Sequence, residues 1–305
     1  MSAEGVSTIA SAVRIAVIDV GSNTLRLLVA APSSAGLSAV HEERAILGLG
    51  EDVERHGVIP DEKVERAARL ARSYVRLARK RGVQRLETVV TAPGRQSANA
   101  EDLLGALASA TGADVRVLST DEEGELAFLG AIACTPNLPE SVAVCDVGGG
   151  STEVVVGTLT GGPAWSRSYD TGSLRLTTRF LEDDPPGERE VEAARAEVAR
   201  VFERLAPPLP QAALATGGSA RALRKLVGRS LGAEELETAV RRTTKRRSTA
   251  IAKRHSIEPS RARTLLAGAL ILGEVEHRLA VPFRVARGGL REGLALGLLS
   301  EERAA

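Results

Sequence analysis

The chain has almost no aromatic residues. Phe, Trp and Tyr together make up 2% of its 305 residues, leaving little with which to stack nucleic-acid bases or line an aromatic pocket. Charge of one sign is also scarce. Forty Lys and Arg stand against 39 Asp and Glu, a formal net charge of +1, so neither general nucleic-acid binding nor an acidic tail is indicated. Only two cysteines and four histidines are present, with no metal-ligand spacing. Cys145 lies in Val142-Ala143-Val144-Cys145, which reads as a buried strand, so it and Cys134 are better read as thiols in a reducing compartment than as a disulfide. No run of about 18 apolar residues could span a membrane. Residues 1–12 are Ser/Ala-rich and lack the basic start of a signal peptide, which predicts a frayed cytosolic tail and a cytoplasmic protein.

What is present is a duplication. Ile15-Ala16-Val17-Ile18-Asp19-Val20-Gly21-Ser22-Asn23-Thr24 has a counterpart in Val142-Ala143-Val144-Cys145-Asp146-Val147-Gly148-Gly149-Gly150-Ser151-Thr152. Each copy is a buried strand, an Asp, a glycine turn carrying hydroxyls, and a second apolar strand. The two Asp residues lie 127 positions apart, too far for a solenoid repeat and suited to one copy per domain. A hydrophobic content of 43% can fill two cores.

Between and after the copies, helix and strand alternate. The pattern predicts a helix from Asp61 to Gly82, with Val64, Ala67, Ala68, Ala71, Val75 and Ala78 on one face. A strand at 86–90, a helix at 99–110, a strand at 114–118 and an acid-led helix at 121–133 follow. The second half reads as strands at 154–159 and 164–169, and helices at 174–180 and 188–205. A surface loop falls at 183–187, and a small-residue turn, Thr216-Gly217-Gly218-Ser219-Ala220, opens another helix. Apolar helices near 262–279 and 290–299 finish the chain. The alternation predicts an α/β fold.

A glycine turn between strands can be no more than a tight hairpin. Two copies, each with an Asp before the turn and hydroxyls within it, point instead to a phosphate clamp. Successive backbone N–H groups form an anion nest, to which Ser22, Ser151 and Thr152 add donors. A strand-end Asp is costly to bury without a cation opposite. Beside phosphate, Mg²⁺ suits that place, since it takes one or two carboxylates plus phosphate oxygens. Gly148-Gly149-Gly150 is not a dinucleotide fingerprint, because a strand follows it, and no Walker lysine follows any glycine loop.

These two loops resemble the phosphate loops of the exopolyphosphatase/guanosine pentaphosphate phosphatase (Ppx/GppA) family, of the superfamily of actin, Hsp70 and the acetate and sugar kinases. The resemblance runs from about Arg14 to Gly297. It includes Thr91 to Asn99, Asp121 to Leu126, Thr171 to Leu176, Thr216 to Ala220 and Gly288 to Gly293. It implies two actin-like (ribonuclease H-like) domains, near 12–134 and 135–305, with a phosphate-binding cleft between them and the last helix packing back on the first domain. Held one loop per domain, the phosphates would be enclosed by hinge closure.

The resemblance further implies Glu123 as catalytic base, with Asp146 as a second acidic catalytic residue and Arg95 facing the phosphates. Asp19, Asp146 and Glu153 would hold Mg²⁺ or Mn²⁺. Phosphate would be bound by Gly21, Ser22, Asn23 and Thr24, by Gly148, Gly149, Gly150, Ser151 and Thr152, and by Gly217, Gly218 and Ser219. Taken alone, Glu123 also reads as a first-turn helix acid. The family's usual Ala-Arg pair after this Glu is replaced here by Gly124-Glu125, and an acid beside the site would oppose phosphate attraction.

The expected activity is Mg²⁺-dependent release of terminal phosphate from inorganic polyphosphate, with guanosine pentaphosphate as the alternative substrate. A superfamily phosphotransferase or a non-catalytic sensor would be a different class. Residues 241–254 hold seven basic side chains and no acid. Arg241, Arg242, Lys245, Arg246 and Arg247 read either as a rail for a polyanion or as a solvated helix face. The short form implies a preference for shorter chains, and a homodimer is left open.

Overall fold

The computed structural model describes residues 13–34 and 36–304; the N-terminal tail reading lies outside them. The first sheet is built from β1 (Ile15–Val20), β2 (Thr24–Ser33), β3 (Gly36–Ile46), β4 (Arg85–Val90) and β5 (Val115–Val117). The second is built from β6 (Ser141–Val147), β7 (Thr152–Thr158), β8 (Gly162–Tyr169), β9 (Ala212–Thr216), β10 (Ser230–Leu231) and β11 (Phe283–Val285). The helices of the first half are α1 (Leu49–His56), α2 (Asp61–Lys80), α3 (Ala92–Gln96), α4 (Ala100–Thr111) and α5 (Thr120–Ala133). Those of the second are α6 (Ser173–Phe180), α7 (Glu188–Val201), α8 (Gly217–Val227), α9 (Ala233–Thr244), α10 (Ser248–His255), α11 (Pro259–Arg263), α12 (Leu265–Leu279) and α13 (Leu290–Ala304).

The two sheets repeat one topology, as expected for an actin-like α/β fold. The first runs β3-β2-β1-β4-β5 and the second β8-β7-β6-β9-β11, with β10 added at its edge. In each, the glycine-loop hairpin is antiparallel and the next two strands pair parallel. The apolar runs of β1 and β6 are buried along nearly their whole length, as central strands covered on both faces require.

Helix α2 buries Val64, Ala67, Ala71, Tyr74, Val75 and Ala78, the stripe its 3.6-residue spacing predicts, against the first sheet's core. Ala68 is only half-buried. The apolar stretch after Ala262 is two helices rather than one. The chain breaks at Thr264, which ends α11 and precedes α12. β3 and α1 had no counterpart in the sequence reading, nor did α9 and α10.

Two helices cross between the halves. α5 belongs to the first half by sequence but buries Phe128 and Ala131 against Val142, Val144 and Val155 of the second sheet. α13 does the reverse, placing Leu290, Leu294, Ala295, Leu298 and Leu299 on Ile15, Val17, Leu28 and Ala30 of the first. Where α5 meets α13, only glycine fits. A Cβ at Gly293 would lie 2.0 Å from the Leu126 carbonyl oxygen, and one at Gly130 2.0 Å from that of Gly289. Backbone stands against backbone here, so no side-chain rotation relieves an added methyl. Gly293→Ala is therefore expected to destabilise the fold by about 1–3 kcal/mol through overpacking, read as a lower midpoint in urea. An unchanged midpoint would mean that the helices part without cost.

Candidate active site

The duplicated loops adopt the same turn. Gly21 N–H donates to the Thr24 carbonyl at 3.0 Å, and Gly148 N–H to that of Ser151 at 3.0 Å. The loop carbonyls are turned outward to neighbouring segments. Ser22 O accepts from Gly50 N–H at 2.7 Å, and Gly149 O accepts from Leu174 and Arg175 N–H, both at 3.0 Å. The N–H groups of Ser22, Asn23, Gly149 and Gly150 donate to no described backbone acceptor, which leaves them available to an anion. The helices bracing the two loops are tied together. Glu54 of α1 accepts from Arg175 of α6 at 2.9 Å, and Arg179 also pairs with it.

One cleft is lined by both loops. Gly21, Ser22, Asn23 and Thr24 face Gly148, Gly149, Gly150 and Ser151, with Gly217 and Gly218 of the third turn beside them. Two of the expected phosphate ligands lie behind it. Thr152 is fully buried and donates its hydroxyl to the Thr171 carbonyl at 2.6 Å, while Ser219 donates to Ser173 Oγ at 3.1 Å. Thr152 opens β7 one position after the cleft residue Ser151, where successive side chains alternate between faces, and Ser219 lies on the buried side of α8.

The acidic residues converge as expected. Asp19, Glu123 and Asp146 line the cleft. Glu153 sits directly across the hairpin from Asp146 and is 1% exposed. Its Oε1 accepts from Ser168 Oγ at 3.0 Å, while Oε2 has no partner. Ser119 caps α5 in a capping box with Glu122, so the first-turn acid that serves the helix is Glu122, and Glu123 turns inward. Burial pushes Glu123 up to about 7, against the pull of Arg95, and Asp146 up to about 6. Burial also raises Glu153, reinforced by Glu123 and Asp146.

Arg95 does not line the cleft. It donates to Glu123 Oε2 at 2.8 Å and to the Leu118 carbonyl at 2.7 Å, so it holds the carboxylate rather than facing the phosphates. The Gly124-Glu125 departure also has a structural reason. A Cβ at Gly124 would lie 3.0 Å from Val155 and 3.5 Å from Glu153 Cβ, so the glycine lets α5 approach β7. Glu125 is exposed and does not line the cleft.

Four arginines that the sequence reading did not single out complete the lining: Arg26, Arg221, Arg261 and Arg291. Arg26 stands across the first hairpin from Asp19, as Glu153 stands across the second from Asp146. Their seven-residue spacing from the Asp was visible in the duplication. Burial, followed by the charge of Arg221, lowers Arg26 and brings Arg261 down to about 10. Arg261 Nε has no partner. The basic run lies elsewhere. Arg241, Arg242, Lys245, Arg246 and Arg247 are exposed around the end of α9 and none lines the cleft.

Comparison with known proteins gives one consistent result. The Ppx/GppA phosphatase family matches residues 28–302. Exopolyphosphatase 2 of Mycobacterium tuberculosis is 32% identical over 93% of this chain and 98% of its own. Exopolyphosphatase 1 of Mycobacterium bovis is 29% identical over 95% and 89%. The crystal structure of the Aquifex aeolicus Ppx/GppA family member superposes with a TM-score of 0.81 at 27% identity, over 96% of this chain and 99% of that one.

Gly217 locks the geometry at Asp146. Its φ is +83°, and a Cβ there would lie 2.4 Å from Asp146 Oδ1. Gly217→Ala should cost about 1–3 kcal/mol in chemical denaturation from backbone strain alone. Gly105→Ala, with nothing within 4 Å in the middle of α4, should be neutral or stabilising. Equal effects at the two positions would contradict this assignment.

Proposed function

The chain belongs to the Ppx/GppA phosphatase family, and from that premise we propose that it releases terminal phosphate from inorganic polyphosphate, with Glu123 as the base that activates water. One observation carries the reading: Asp19, Glu123 and Asp146 line the same cleft as Arg26, Arg221 and Arg261, and no ion pair joins the two sets. Arg261 Nε in the cleft lining and Glu153 Oε2 across the hairpin from Asp146 both lack a hydrogen-bond partner, and a buried polar atom left unpaired is costly. A phosphate chain bound together with a divalent cation satisfies both sets.

The residues fit Mg²⁺ or Mn²⁺ in that role. Among the described residues no three potential ligands form a closed metal cage, whereas Mg²⁺ typically takes one or two carboxylates and completes its shell with phosphate and water. Of the expected set, Asp19 and Asp146 line the cleft and would hold it, with Glu153 across the hairpin from Asp146 rather than in the lining. Bound there, the cation would neutralise phosphate oxygens and stabilise the departing one.

The chain's own groups do the rest. N–H groups of both loops hold the terminal phosphates in place. Water attacks the terminal phosphorus, its proton passes to Glu123, and the bond to the bridging oxygen breaks, leaving that oxygen on the shortened chain. Arg95 fixes the direction of the Glu123 carboxylate and keeps it ionised over more of the pH range than burial alone would allow. The cleft lining contains no Phe, Trp or Tyr, which favours a bare polyphosphate over guanosine pentaphosphate. The shared name of the two mycobacterial relatives favours the same substrate.

Phosphate release from polyphosphate with Mg²⁺ present is the test. Because the base acts only when deprotonated, the wild-type rate should rise as pH climbs through about 7. Glu123→Gln should lose about 10²–10⁴-fold of kcat and this limb of the profile with it. Unchanged release by Glu123→Gln would remove that residue from the chemistry.

A further inference from the structure

The cleft is shared between two halves, so the spacing of its loops has to be set by something that spans them. Each loop is first held within its own half, by the start of a helix. Gly50 N–H of α1 donates to the Ser22 carbonyl at 2.7 Å, and Leu174 and Arg175 N–H of α6 donate to the Gly149 carbonyl, both at 3.0 Å. The braced loops then meet directly. A Cβ at Gly149 would lie 2.9 Å from Ser22 Cβ, and one at Gly150 3.0 Å from Gln96 Oε1.

Polar side chains bridge the halves at this contact. Glu54 of α1 accepts from Arg175 Nε at 2.9 Å and also pairs with Arg179. Among the described residues, no cation of its own half pairs with this carboxylate. Arg175 has a second partner, because its Nη1 pairs with the Asp170 carboxylate and donates to the Asp170 carbonyl at 2.9 Å. Asp170 Oδ1 accepts in turn from Gln96 Nε2 at 2.5 Å. Gln96 ends α3 directly after Arg95, which donates to Glu123 Oε2 at 2.8 Å. The network thus leaves the first half at Glu54 and returns to it at Gln96, next to the residue that directs the base.

The central pair is buried, with the side chains of Glu54 and Arg175 10% and 8% exposed. Two apolar side chains would hold α1 to α6 about as firmly, since lost hydration offsets most of a buried ion pair's attraction. What the charges add is direction, because arginine and carboxylate bond in few geometries. Arg175 also carries the loop-holding N–H and the bridging guanidinium on one residue.

We propose that Glu54, Arg175 and Gln96 are positioning residues for the reaction: they fix the separation of the two phosphate loops and couple it to the direction of the Glu123 carboxylate. The inference rests on the hydrolase reading and deepens it. A substrate gripped by both loops lies in reactive alignment only at one loop spacing.

Glu54→Gln alone strands Arg175 and should lower the midpoint in urea. Glu54→Leu combined with Arg175→Met leaves no lone charge at the centre, so the midpoint should recover while the directional tie stays lost. In that double variant KM for tripolyphosphate should rise about tenfold, within the range that a small misplacement far from the chemistry produces. Gln96→Ala acts through α3 alone and should lower kcat about fivefold, with KM within about twofold. Arg195→Gln, which breaks an exposed pair with Glu237 outside the cleft lining, should change neither.

Recovery of KM together with the midpoint in the double variant would make the pair purely structural and overturn the proposal. Gln96→Ala leaves the buried pair intact and decides by itself if the double variant does not fold, since an unchanged kcat there also overturns it. Wild-type protein that releases no phosphate would instead contradict the hydrolase reading. Hydrogen exchange without ligand then decides the network. The amides of Gly50, Leu174 and Arg175 should exchange faster in the double variant while those of β1 and β6 stay protected, and equal exchange at all of them overturns the proposal.

Discussion

The strand register of two hairpins is the constraint on which the rest of the site depends. It sets Asp19 across from Arg26 in one half and Asp146 across from Glu153 in the other. The backbone turns are the same, with the same hydrogen bond closing each at 3.0 Å. The charges are not. One copy of the repeat became cationic and the other acidic at a single equivalent position. Arg95 pairs with Glu123 and Glu42 with Arg291, but Glu153 Oε2 and Arg261 Nε stay without a partner, and a buried polar atom left unpaired is costly. Such a cost is sustained where a ligand relieves it, and a phosphate chain with its counter-cation has the composition to do so.

The acid set is assembled across the whole molecule. Glu123 comes from a helix that leaves the first half and packs on the second sheet. It reaches Glu153 and Asp146 because glycine at 124 permits a close approach to β7, and because Arg95 holds its carboxylate from the first half. The bare backbone contacts of Gly130 and Gly293 fix that helix against α13. Small residues at these places let the helices that cross between the two sheets pack backbone against backbone. The Glu54–Arg175 pair ties the helices behind the loops.

Much of this was legible in the sequence, and the failures have physical causes. The duplicated loops, the α2 stripe and the α/β alternation follow from apolar periodicity and glycine placement, and all appear in the structure. β3 was missed because an edge strand with one solvated side carries charges such as Glu42, Glu43 and Arg44 where a central strand carries aliphatics. The basic run at 241–247 was conspicuous because its charges are adjacent in sequence, and adjacent charges usually mark a solvated helix end, as they do here. The cleft arginines are the reverse case. Positions 26, 221, 261 and 291 come from four separate elements and converge only through the fold. Thr152 and Ser219 sit in the right motifs but on the far side of their elements, a distinction that spacing alone does not make at a turn.

The account's central claim is that both loops grip one phosphate chain, with Glu123 at its reacting end. The most direct measurement is a crystal structure of Glu123→Gln bound to a short linear polyphosphate and Mg²⁺. The account predicts phosphate between the loops, against Gly149 and Gly150 on one side and Ser22 and Asn23 on the other, with residue 123 beside the terminal phosphorus. A chain bound to one loop alone, or one held by Arg242 and Arg246 on the outer surface, would contradict it.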